Sequence, residues 1–98
     1  MRKNLNQLSK EITAWRKRKG FKTNWSNMPE KLMLVVTELS EAMEAYRYGD
    51  KPNFAEEIAD SIIRLCDICG SIGIDIESAI NDKMEVNKDR PRKHGKTC

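Results

Sequence analysis

The segment ELSEAMEAYRYGDKPNFAEEIAD, Glu38–Asp60, decides how this chain is read. It holds Glu38-x-x-Glu41, a break at Gly49-Asp50-Lys51-Pro52-Asn53, and then Glu57-x-x-Asp60. The break stops one helix and starts another. Each of two consecutive helices therefore carries an acid pair at the same spacing, inside an otherwise apolar segment.

At roughly 100° per residue, Glu38 and Glu41 fall beside an apolar stripe of Leu32, Val35, Val36, Leu39, Ala42, Met43 and Tyr46. Glu57 and Asp60 fall in the same sense beside Phe54, Ile58, Ile62, Leu65, Cys69 and Ile72. Residues three apart are neighbours on a helix, and packed helix axes lie about 8–10 Å apart. An antiparallel pair of such helices can bring all four carboxylates to one place. Repulsion opposes that arrangement unless a cation joins it. Oxygen-only donors suit Mg²⁺, with Mn²⁺ as a substitute. The same residues also suit two solvated acidic faces, since Glu is a common helix former. The repetition of the pair at matching angles favours the metal site.

Outward from this segment the chain reads as four helices: about 4–19, 29–48, 54–71 and 76–89, followed by a basic tail, 90–98. Gly20 ends the first, Pro29 opens the second, Asn53 is the expected N-cap of the third and Asp75 of the fourth. Leu5, Leu8, Ile12 and Trp15 form the expected buried stripe of the first helix. No strand alternation or internal repeat stands out. The expected fold is all-α: a four-helix antiparallel bundle in a single domain, 1–98, with short connections.

The chain has 98 residues and a net charge of +3. That charge is unevenly placed: +7 over residues 1–25, −8 over 26–82 and +4 over 83–98. An acidic middle between basic ends suits a cation site bordered by groups for an anion. A chain this short buries roughly 60–65% of its unfolded surface, so completion of the core by self-association, as a homodimer or homotetramer, is expected. No apolar run approaches the ~20 residues of a membrane span, and no apolar stretch follows the basic N-terminus as in an export signal. The three cysteines, Cys66, Cys69 and Cys98, suit a reducing, cytoplasmic setting, with Cys66 and Cys69 as small buried apolar groups.

With these motifs placed, the chain resembles the MazG-like, all-α nucleoside triphosphate pyrophosphohydrolase superfamily. That family's signature is E-x-x-E, a spacer of a dozen or more residues, then E-x-x-D. The likeness extends over "EKLMLVVTELSEAMEAYR", "EEIADSIIRL" and "KMEVNKDRPRKHGK", roughly residues 20–96. It implies a helical protein forming dimers or dimers of dimers that cleaves the α–β phosphoanhydride of a nucleoside triphosphate to monophosphate and pyrophosphate. It implies Mg²⁺ held by Glu38, Glu41, Glu57 and Asp60. It also implies that Lys83, Asn87, Arg90, Lys93 and His94 handle phosphate or the metal's water shell.

In that scheme Glu38, Glu41 and Lys83 carry the catalysis, with Glu41 chosen as proton acceptor for the attacking water. Trp25, in a loop, is a candidate for stacking on the base. Arg64, one turn beyond the second acid pair, balances the carboxylates or meets a phosphate. Three other readings compete. A phosphoribosyl-ATP pyrophosphohydrolase is the nearest enzymatic one. A di-iron bundle normally needs Glu-x-x-His pairs, and no histidine lies on these helices. A nucleic-acid-binding module has the basic run Arg16-Lys17-Arg18-Lys19 in its favour but leaves the acid pairs unexplained, so nucleic acid is disfavoured as a partner.

Overall fold

The computed structural model of the chain describes residues 2–89. Four helices form, α1 (Leu5–Arg18), α2 (Met28–Arg47), α3 (Lys51–Ser71) and α4 (Ile76–Asp89), and no strand occurs among the described residues. The all-α expectation holds. No helix of the described residues is long and apolar enough to cross a membrane.

Local chemistry sets the ends of the helices. Asn4 caps α1 by accepting the Gln7 N–H, while the Gln7 side chain accepts the Asn4 N–H. The chain then turns through Gly20, whose φ of +85° places it in the left-handed region that favours glycine. A short 3-10 turn, Trp25–Asn27, leads directly into α2. The third helix begins earlier than the sequence suggests. Its N-cap is Asp50, not Asn53, and Asp50 Oδ1 accepts the Asn53 N–H at 3.1 Å. Pro52 is compatible with this start because a first-turn N–H has no helical partner. At the start of α4, Asp75 Oδ1 accepts the Ser78 N–H at 3.0 Å.

The second and third helices pair antiparallel across their short turn, and α3 is the central element, with α1 packed on its other side. The α1 contact is close and polar. Ser9 and Thr13 are the buried residues of α1, and they meet α3 at Gly70. A Cβ there would come within 2.5 Å of Thr13 Oγ1 and 3.0 Å of the Ser9 carbonyl oxygen. Gly70 thus lies inside α3 at a close crossing, while Gly73, at φ +75°, makes the turn beyond it.

Asp67 gathers this crossing together. It accepts from Arg16 Nε at 3.0 Å and from Thr23 Oγ1 at 2.8 Å, while Arg16 also donates to the Phe21 carbonyl at 3.0 Å. The loop after α1 is thereby tied to α1 and α3. The fourth helix packs on α1, where Asn6 donates to Asp75 at 2.8 Å and to Glu77 at 3.0 Å, and it contributes no buried residue.

The buried faces match the stripes read from the sequence only in part: Val35, Ala42 and Cys69 are buried, but many stripe residues are not. On α2 the inward residues are Met28, Val35, Glu38, Ala42 and Ala45, whereas Leu32, Val36, Leu39, Met43 and Tyr46 are exposed. On α3, Phe54, Ile62 and Leu65 are exposed, and on α1 so are Leu8 and Trp15. Between α2 and α3 an apolar cluster of Met28, Val35 and Ile68, with Ile72 against it, is joined by the buried small residues Ala42, Ala45 and Ser61 and by Glu38. Cys66 and Cys69 are buried free thiols, as expected, and burial pushes both thiol pKa values up.

Candidate metal centre

Because the α2–α3 contact runs through Glu38 and Glu57, carboxylates sit at the seam between the two helices. Ala42, Ala45 and Ser61, all buried, are small enough to let the helices approach there. One carboxylate oxygen each from Glu38, Glu41 and Glu57 lies within 4.8 Å of the other two. Glu38 is only 9% exposed, Glu57 is half-buried, and Glu41 is open to solvent. A cleft of about 300 Å³ leads from Glu41 and Glu57 to Tyr48, Asp50 and Asn53 at the helical turn.

Two features show the electrostatic stress of this arrangement. Among the described residues Glu57 Oε1 is closed off from solvent with no donor to satisfy it. Its pKa is pushed from an ordinary 4.5 up to about 7, first by desolvation and then by the carboxylates of Glu41 and Glu38. A buried acceptor without a donor is costly. A hard cation supplies what it lacks. The donor set is all oxygen and anionic, as Mg²⁺ and Mn²⁺ prefer, and three carboxylates leave coordination positions for phosphate or water. The residues present therefore fit a divalent cation. One positive group already reaches them: Arg64 Nε lies 3.4 Å from Glu38 Oε1.

The fourth member of the expected set is not part of the cluster. Asp60 is exposed, and only Glu38, Glu41 and Glu57 converge. Lys83 is exposed on α4. Asn87 is half-buried, with its Oδ1 shut off from solvent and without a partner among the described residues. Neither makes a hydrogen bond with the cluster, and α4 packs on α1 rather than on α2. Trp25 is 75% exposed on the 3-10 turn, open to a stacking partner. Neighbouring Asn24 and Ser26 are engaged in that turn, where Asn24 Oδ1 accepts from Ser26 Oγ at 2.6 Å. Trp15, expected to pack in the core or in a dimer contact, is half-exposed in the single chain, beneath the Lys19 ammonium 4.6 Å from the ring centre. Arg90, Lys93 and His94 lie outside the described residues, as does Cys98.

Sequence reasoning did not find the Arg16–Asp67–Thr23 network. It joins residues 44 and 51 positions apart, and no periodicity marks such a pair. Comparison of the chain with protein-family models, curated proteins and solved structures finds no match. The likeness to the MazG-like superfamily thus rests on the motif residues themselves.

Proposed function

We propose that this chain is a Mg²⁺-dependent nucleoside triphosphate pyrophosphohydrolase of the MazG-like type, cleaving the α–β phosphoanhydride to a monophosphate and pyrophosphate. The observation that carries the reading is the convergence of Glu38, Glu41 and Glu57 around a buried oxygen that lacks a partner. Surface acid pairs do not need to converge, and these three do so across two helices at a cost in repulsion.

In this reading Glu38 and Glu57 hold the cation, and Glu41 lies beside it. When bound, a divalent ion polarises phosphoryl oxygens and lowers the pKa of coordinated water. Glu38 and Glu57 face each other across the helix seam and are fixed by it, so they serve as ligands. Glu41 is the solvent-facing member and borders the cleft, which leaves it free to take the proton of the attacking water. Lys83 and Asn87, with Arg90, Lys93 and His94 beyond them, are assigned to the phosphates. Trp25 is assigned to the base.

The working unit in this reading is a homodimer or homotetramer. The exposed residues Leu32, Val36, Leu39, Met43 and Tyr46 alternate at spacings of four and three along α2, the spacing of a helix–helix seam.

The test is incubation with each nucleoside triphosphate, with and without Mg²⁺, assaying pyrophosphate and orthophosphate separately. Metal-dependent pyrophosphate release is expected, abolished by Glu57→Gln. Release of orthophosphate alone, or no turnover with any triphosphate, overturns the assignment.

A further inference from the structure

Arg64 stands between two surfaces of opposite charge. On one side is the carboxylate cluster, which it meets through Glu38. On the other is a second cavity, about 390 Å³, between the end of α1, the loop after it, the start of α2 and the middle of α3. Its charged lining is Arg16, Lys19, Lys31 and Arg64 against Glu30 and Asp67. Asp67 is already engaged by Arg16 and Thr23. The cavity therefore keeps a positive surplus and favours an anion, whereas the adjoining cluster favours a cation.

The hold of Arg64 on Glu38 is loose. The contact is a single one through Nε at 3.4 Å, longer than the about 2.7–2.9 Å usual for a charge-assisted hydrogen bond. A guanidinium has five N–H donors, and among the described residues only this one is used. The Arg64 side chain is 39% exposed, against 11% for Glu38. A weakly held, donor-rich guanidinium beside a cation site is not needed for folding in the way that Arg16 is.

We infer that Arg64 is a displaceable counter-ion. It neutralises Glu38 while the cluster holds no metal, yields that carboxylate to a divalent cation, and then grips a phosphate of the metal-bound polyphosphate at the mouth of the basic cavity. The inference rests on the metal-site reading above. A divalent ion at Glu38 repels the guanidinium, and a planar fork with free donors matches a phosphate bidentately, as an ammonium does not. The ligand that satisfies both surfaces is a metal-chelated polyphosphate ester.

Calorimetry tests this in two arms. Mg²⁺ alone is titrated into wild type, Arg64→Met and Glu57→Gln; then the α,β-methylene analogue of a nucleoside triphosphate is titrated in saturating Mg²⁺. Methionine keeps an apolar stem in place of the arginine chain. Arg64→Met is expected to bind Mg²⁺ more tightly, by up to about tenfold, because a competing positive charge is gone. It should bind the analogue more weakly, by about tenfold or more, with Arg64→Lys between it and wild type. A purely structural ion pair predicts no such opposite signs.

Unchanged or weaker Mg²⁺ binding in Arg64→Met, with binding still lost in Glu57→Gln, overturns the counter-ion role and spares the metal site. Unchanged analogue binding overturns the phosphate role. Wild-type binding of Mg²⁺ that is absent or indifferent to Glu57→Gln removes both. Should Arg64→Met fail to fold by its melting curve, Arg64→Gln, which likewise removes the charge, carries the same two comparisons.

Discussion

In the absence of a cation Glu57 titrates close to neutrality, because burial and the carboxylates of Glu41 and Glu38 disfavour its charge. Its folded pKa, about 7, exceeds the ordinary 4.5, so between those values the folded state holds a proton that the unfolded state has lost. The corresponding stability is complete below about pH 4.5 and drains away as pH rises through about 7. Melting curves in EDTA should thus show the protein less stable at pH 8 than at pH 5.5. Glu57→Gln should flatten that difference and raise the melting temperature at pH 8. Mg²⁺ should reverse the loss in wild type, by about 2.7 kcal/mol at 100 times its dissociation constant, and leave Glu57→Gln unmoved.

Asp67 behaves differently, because its partner Arg16 is a fixed and nearly buried cation, with side-chain exposures of 11% and 14% for the pair. Asp67→Ala strands that charge and should cost about 3–5 kcal/mol in urea unfolding. Of these two carboxylates only Glu57 was legible in the sequence. Its position follows from a local i, i+3 spacing repeated on neighbouring helices. Asp67 matters through contacts with α1 and the following loop, which local spacing does not encode. Asp60 shares the motif with Glu57, yet the face of α3 that carries Ser61 and Ile68 into the interior holds Glu57 half-buried and leaves Asp60 exposed.

Among the elements, the helix boundaries followed from the sequence within a residue or so, except at α3. Asp50 and Asn53 are both competent caps three residues apart, and Asn53 was the expected one. A proline in the first turn costs no hydrogen bond, so the helix gains a turn and Asp50 becomes its cap. The α1–α3 crossing was hidden for another reason. Gly70 reads as a helix terminator, but it sits one residue before the end of α3, facing Ser9 and Thr13. Gly70→Ala should gain about 1 kcal/mol of helix propensity and lose more to overpacking, typically about 1–3 kcal/mol. The loss is set by the Ser9 carbonyl, which moves only with the backbone of α1. The net result is a lower urea midpoint at an unchanged slope; a higher midpoint would mean that the two helices separate freely.

For the molecule as a whole, the apolar pattern gave the fold class correctly and the interior only in part, since of the stripes on α2 and α3 Val35, Ala42 and Cys69 are buried. Leu8 and Trp15 on α1, Leu32, Val36, Leu39, Met43 and Tyr46 on α2, and Phe54, Ile62 and Leu65 on α3 are all exposed, while Ser9, Thr13, Glu38 and Ser61 are buried. A 3.6-residue period reports that a helix has an apolar side; it does not say whether that side meets the same chain or another copy. In the proposed oligomer this apolar surface would be the interaction face, with the four-and-three spacing on α2 suited to helix–helix packing. Leu39 and Met43 lie at the middle of that row. Replacing both with lysine puts two charges where the proposed interface would exclude water, without replacing the buried residues Glu38 and Ala42 on the adjoining face of α2. Sedimentation equilibrium should give wild type a mass that is a multiple of the 11.3 kDa chain, and the Leu39→Lys, Met43→Lys variant the mass of one chain with its helicity retained. A wild type that sediments as a monomer would mean that the apolar row serves something other than a second copy.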